Sequence, residues 1–234
     1  MKRRPTPELL DTDSGTAEEV AGALRDLRSF NQRLGGVSTT SDLMRRVIRK
    51  TGTTDFSLLE IAAGTGFVPK QVSRDLSSEG VKLEVTLLDR VATHLPQNGT
   101  PRKVSADALN MPFQDSAFDL VSSSLFLHHL SPEDVLKFAR ESLRVCRIAV
   151  LVNDLVRQPL HLVLAYAGVP IYRSRITRND APASVKQAYT VEEMTEMFCM
   201  AGAAKVEAQR HFLFRMGVIA WKTDSFDASG SPSS

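Results

Sequence analysis

A doubly wound α/β domain is the fold this sequence predicts, and three observations predict it. Short apolar runs alternate with amphipathic stretches between residues 55 and 221, the pattern of strands joined by helical crossovers. One run, Arg147–Val152, is apolar at every position after the first, as a strand buried on both faces should be. Glu60, Asp89, Asp107 and the serines around Ser123 fall at the ends of successive runs. Right-handed crossovers bring those ends to one rim, where ligands bind in this architecture. The sheet is expected to be mostly parallel, with a C-terminal antiparallel strand pair and an N-terminal helical cover.

Composition narrows the choices. With 234 residues, 42% of them hydrophobic, the chain can bury one sizeable core, and a disordered protein is excluded. A net charge of +2 gives no long-range pull on nucleic acid, so none is expected as a partner. Cys146 and Cys199 lack zinc spacing; no metal is expected, and both read as reduced core residues. The opening Met-Lys-Arg-Arg-Pro is followed by Glu8, Asp11 and Asp13 instead of an apolar run, so it reads as no secretory signal. The longest apolar run, Leu160–Tyr172, contains His161 and Pro170 and is too short to span a bilayer. A cytoplasmic protein without stable membrane insertion is the expectation.

Taken in order, residues 1–16 mix Pro, Thr, Asp, Ser and Gly and read as a flexible arm. Residues 17–54 hold two helices. The first, Ala17–Leu34, carries Val20, Leu24 and Leu27 and ends at Gly35-Gly36. The second is capped from among Ser38, Thr39, Thr40 and Ser41 and carries Leu43, Met44, Val47 and Ile48. The pair either packs on the sheet or closes over a site as a lid.

Strands are expected at Ser57–Ile61, Lys82–Leu88, Val104–Ala106, Phe118–Ser123 and Arg147–Val152. Helices are expected at Phe67–Ser78 and from Ser131-Pro132-Glu133-Asp134, a capping serine with proline and acids in the first turn, to about Val145. An insertion, 155–188, follows. Thr190-Val191-Glu192-Glu193 forms a capping box for a helix to about Ala201. Lys205–Gln209 and Phe212–Trp221 read as the terminal strand pair, and 223–234 as a disordered tail.

Chemistry concentrates in Leu58–Phe67, an apolar strand that passes through Glu60 into a turn of small residues and then a helix. Such a turn opens backbone N–H groups at the helix start and lets a ligand approach the main chain. Gly64-Thr65-Gly66 is not followed by Lys-Ser or Lys-Thr, so no phosphate loop of that type is present. Phe67-Val68-Pro69 leaves a dinucleotide fingerprint without its third glycine. A carboxylate at Glu60 would repel a pyrophosphate but suits an ammonium group. Of the nucleoside ligands, S-adenosylmethionine fits better than a dinucleotide.

Leu58-Leu59-Glu60-Ile61-Ala62-Ala63-Gly64-Thr65-Gly66 resembles the first motif of class I S-adenosylmethionine-dependent methyltransferases. Asp89 looks like their acid after the second strand. Ser105–Phe113 and Phe118–Leu130 look like their third and fourth motifs. The resemblance covers about residues 55–222, leans toward the ubiquinone and menaquinone biosynthesis branch, and implies a Rossmann-like fold. It implies that Glu60 faces the methionine ammonium, that Gly64 and Gly66 admit the cofactor, and that Asp89, beside Arg90, accepts the ribose hydroxyls. Asp107 and the Ala108 N–H would read the adenine, and Ser123 would lie at the methionine end. Two departures stand out: Ala62 replaces the usual first glycine, and Arg144-Val145-Cys146-Arg147 replaces a Lys-Pro-Gly-Gly turn, so a tighter connection is expected there.

Methyl transfer from a sulfonium needs mainly alignment, and a base only where the acceptor must lose a proton. His129 and His128, just past the fourth strand, either supply that base or close the turn before the next helix. Arg173, Arg175 and Arg178 are either a solvated face or, with the insertion, part of an acceptor pocket. The expected activity is methylation at O or C of an apolar, aromatic small molecule of quinone-like or polyketide type. The alternatives are a nucleic-acid or protein methyltransferase and a nucleotide-binding oxidoreductase on the same fold.

Overall fold

Seven strands form one sheet in the computed structural model, which describes residues 1–12, 15–96, 99 and 101–224. They are β1 (Asp55–Ile61), β2 (Lys82–Asp89), β3 (Arg102–Ser105), β4 (Phe118–Ser124), β5 (Cys146–Leu155), β6 (Lys205–His211) and β7 (Arg215–Trp221). The order is β3-β2-β1-β4-β5-β7-β6, and only β7 runs antiparallel to its neighbours. The helices are α1 (Ala17–Arg33), α2 (Gly36–Thr51), α3 (Phe67–Ser77), α4 (Pro132–Val145), α5 (Pro159–Ala167), α6 (Arg175–Gln187) and α7 (Val191–Met200).

Alternation along the strands splits the core into two layers. Phe56 and Leu58 of β1 and Leu151 of β5 pack with Leu43, Met44 and Val47 of α2 and Val72 of α3. Leu59 and Ile61 of β1 and Val150 and Val152 of β5 pack with Val135 and Phe138 of α4 and Phe198 of α7. Helices therefore cover both faces, which is why the central strands are apolar throughout. Among the described residues no helix is long and apolar enough to cross a membrane.

Several elements differ from expectation. The second helix starts at Gly36, because Gly35, at φ 87°, caps it in the left-handed region; Ser38–Ser41 lie inside it. β3 begins at Arg102, where pairing with Thr86 of β2 starts. The last strand begins only at Arg215, since Phe212–Phe214 form a 3-10 turn in which Leu213 and Phe214 have positive φ. The insertion is helical. Cys146 is buried, with burial pushing its thiol up to about 12, but Cys199 is exposed on the outer side of α7. α4 runs into β5 with no residue between, the tight connection expected there.

The arm expected over 1–16 is packed rather than loose across residues 1–12. Arg3 donates to the carbonyls of Gln187, His128 and Leu130. Asp180 of α6 accepts from the Leu9 and Leu10 amides, and Glu8 is buried. Polar composition suggested solvent; here the polar groups find partners in α6 and in the 128–130 turn. The tail expected over 223–234 lies outside the described residues from 225 onward.

Candidate active site

One cavity of about 830 Å³ opens at the C-terminal ends of the parallel strands. That is ample for a small-molecule site. Of the residues expected at the cofactor, Ala62, Gly64, Asp89, Arg90, Asp107 and Ala108 line it; so do His128 and His129. Glu60, Gly66 and Ser123 do not reach its wall. Gly66 is needed for packing instead: its φ is 66°, and a Cβ there would meet Leu87 Cδ1 at 2.7 Å. Ser123 is buried within β4.

The strand-end acids are built into the backbone. Asp89 Oδ2 accepts from the Gly64 N–H at 2.9 Å and Oδ1 from the Val91 N–H at 2.9 Å. Asp107 Oδ1 accepts from the Leu109 N–H at 2.9 Å. Each carboxylate is thus aimed by its own turn and keeps lone pairs for a ligand. Asp119 lies at the other end of β4, accepting from the Ser57 N–H and hydroxyl and paired with Arg147, so it pins strands.

Glu60 sits behind the cavity wall, one residue before the turn. Burial pushes its carboxyl up to about 7, while the neighbouring Ser122 and Ser124 hydroxyls pull it down. Neither hydroxyl meets hydrogen-bond geometry, and Glu60 Oε2 has no partner among the described residues. A buried carboxyl so poorly matched is costly unless something cationic meets it. Backbone strain gathers at the same place. Four of the five non-glycine residues with positive φ among those described, Ala62, Leu125, Leu213 and Phe214, line the cavity.

On the far side of the rim, His128 Nδ1 lies 2.6 Å from Asp154 Oδ1 and its Nε2 3.6 Å from Glu8 Oε1. Burial alone would lower its pKa, but these two carboxylates hold it up to about 10. Glu8 and Asp154 lie below their ordinary values, because the His128 charge outweighs their burial. Held there, His128 carries its proton at neutral pH and is tied to the two carboxylates. His129 Nδ1 meets Asp11 Oδ2 at 2.9 Å.

Arg173, Arg175 and Arg178, by sequence either a solvated face or part of an acceptor pocket, do not line the cavity. Arg175 pairs with Glu19 and Arg178 donates to the Tyr172 carbonyl, both exposed and away from the cavity lining. A second buried cation on the wall is Arg215, whose guanidinium donates to Asn153 Oδ1 and Asn31 Oδ1 at 3.3 and 3.2 Å. Burial draws it down to about 10, so it keeps its charge at neutral pH. His161 also lines the cavity. It stacks on Phe214 and places Nδ1 3.1 Å from the Val156 carbonyl, and burial lowers its pKa, so it stands as a neutral imidazole with Nε2 as acceptor.

Residues 59–150 match a family described as a methyltransferase domain. That match runs from within β1 to within β5 and covers less than half of the chain. Over 100 residues this chain is 34% identical to the ubiquinone/menaquinone biosynthesis C-methyltransferase UbiE of Idiomarina loihiensis, a match that spans 38% of each chain and so less than half of that relative's length. Its fold is similar to that of an S-adenosylmethionine-dependent methyltransferase from Aquifex aeolicus, with a TM-score of 0.52 at 17% identity over 78% of this chain and 88% of that one. The C-methyltransferase domain of the citrinin polyketide synthase gives a TM-score of 0.58 at 12% identity, over 81% of this chain and 52% of that one.

Glu8, Asp154, His161 and Arg215 were missed from sequence. Only Asp154 carried a signal, an acid one residue before the end of β5, much as Asp89 ends β2.

Proposed function

We propose that this methyltransferase moves a methyl group from S-adenosylmethionine to an oxygen or a carbon of an apolar, aromatic small molecule of quinone-like or polyketide type. The observation that supports this best is the continuity of the cavity. It runs from the Asp89 and Asp107 carboxylates to an apolar wall made by Leu24, Leu27 and Phe30 of α1 and Leu164 and Ala165 of α5. A charged nucleoside and an apolar acceptor would meet in it end to end. The identity to a quinone C-methyltransferase over 100 residues favours a quinone-like acceptor.

In this reading Asp89 accepts the ribose hydroxyls, beside Arg90, and the Gly64 turn admits the cofactor's chain. Asp107 and the Ala108 N–H hold the adenine. Glu60 takes the methionine ammonium, which meets its unsatisfied oxygen directly or through water. The helices of 155–188 and α1 enclose the acceptor, α1 acting as lid while α2 stays in the core. Holding donor and acceptor in line contributes roughly 7–11 kcal/mol of the barrier reduction. A base is called on only for a hydroxyl acceptor; of the imidazoles on the wall, His161 and His129 are the candidates for that role. The enzyme acts in the cytoplasm, on a small molecule and not on nucleic acid.

Calorimetry with S-adenosylmethionine and with NAD tests the donor. S-adenosylmethionine is expected to bind and NAD not, and Asp89→Ala to weaken binding by about 2–3 kcal/mol. Binding of NAD alone overturns the reading. Phenols and quinones offered with a labelled methyl donor, read by mass spectrometry, then identify the acceptor.

A further inference from the structure

Two imidazoles and one carboxylate converge on the acceptor side of the cavity, and their arrangement exceeds what an ion pair requires. Glu8, His128 and His129 each offer a ligand atom, and those atoms lie within 4.8 Å of one another. His128 Nε2 is 3.6 Å from Glu8 Oε1, and His129 Nε2 is 4.0 Å from Glu8 Oε2. In a tetrahedral zinc site with bonds of about 2.0–2.1 Å, neighbouring ligand atoms are roughly 3.3 Å apart. Small side-chain rotations would therefore close the set on one ion.

The surrounding contacts have the same form. A histidine that binds a metal through one nitrogen commonly gives its other N–H to a carboxylate, which fixes the ring and raises its basicity. Both rings here do so: His128 Nδ1 is held by Asp154 at 2.6 Å and His129 Nδ1 by Asp11 at 2.9 Å. Both Nε2 atoms are left toward Glu8. Glu8 is oriented in turn by the Ser184 hydroxyl at 2.6 Å and the Gln187 amide at 2.7 Å, both donating to Oε1. Three carboxylates thus surround two imidazoles that are turned the same way. Glu8, His128, His129 and Asp11 all line the cavity.

We infer that Glu8, His128 and His129 form a site for a divalent transition ion, zinc above all, with its fourth position open to the cavity. Two imidazoles and one carboxylate suit such an ion, and the ion takes the place of the proton on His128 Nε2, which leaves to solvent. The inference rests on the methyl-transfer reading for its use: an acceptor hydroxyl held at the open position becomes more acidic. Its proton passes to Nε2 of His161 on the cavity wall, since His129, once a ligand, has no nitrogen left for it. The oxygen lone pair then forms the bond to the methyl carbon, and the carbon–sulfur bond breaks with its electron pair returning to sulfur.

Protein stripped with a chelator is titrated with Zn²⁺ and with Co²⁺, without donor or acceptor. The expected results are one ion per chain by native mass spectrometry and a visible absorption band from the Co²⁺ form. His129→Ala, at the less buried ligand, should abolish stoichiometric binding, and Asp11→Asn should weaken it about 10–100-fold. No stoichiometric binding, or binding that both variants leave unchanged, overturns the site. Metal bound without S-adenosylmethionine binding supports the site and overturns the methyl-transfer reading. The donor bound without metal overturns the site alone.

Discussion

Ala62 has φ 51°, in the region where a side chain crowds its own carbonyl. An L-residue there costs roughly 1–2 kcal/mol, and glycine gives back about 0.5–1 kcal/mol through its looser unfolded state. Ala62→Gly is therefore expected to raise stability by about 0.5–1 kcal/mol in urea unfolding. A loss would mean that the methyl's packing at the cavity outweighs the strain. Glu60 gives the residue scale a pH dependence. Burial raises its carboxyl from 4.5 to about 7, so the folded chain holds the proton more tightly than the unfolded one. Its share of stability is full below the unfolded value and is lost as pH rises towards 7, by about 3 kcal/mol in all. Glu60→Gln should remove that fall, so wild type and variant should diverge between about pH 5 and pH 8 when unfolded in urea. Parallel curves would show that Glu60 does not titrate in this window.

Elements were more legible than the contacts between them. β1, β2, β4 and α4 were read within a few residues, because buried parallel strands and a Ser-Pro-Glu-Asp helix start carry strong local signals. The packing of residues 1–12 was not legible because their partners lie far along the chain, in α6 and in the 128–130 turn. Asp180 accepts the Leu9 amide at 2.9 Å and the Leu10 amide at 3.0 Å. Asp180→Ala would leave both amides without that partner, at a cost of about 2 kcal/mol. Hydrogen exchange is expected to quicken at Leu9 and Leu10 while β1 and β5 keep their protection. Unchanged exchange at Leu9 and Leu10 would mean that other contacts hold the segment.

At the scale of the whole molecule, the site divides by how its parts are aimed. Asp89 and Asp107 could be found from sequence because each is positioned by residues one or two places away or by the neighbouring glycine turn. Arg215, Glu8 and His161 could not, because only the closed fold brings them to the wall. β5 joins the two halves. Asn153 gives its amide to the Gly36 carbonyl and Thr40 hydroxyl and receives Arg215. Asp154, the next residue, holds His128. Because α4 enters β5 without a spacer, one added residue at Cys146 would slip the strand by a single place. Val152 would then take the place of Asn153 and Asn153 that of Asp154, leaving the arginine facing an apolar side chain and stripping the imidazole of its counter-charge. The missing linker thus works as a ratchet stop that keeps two unlike polar circuits from being cross-wired.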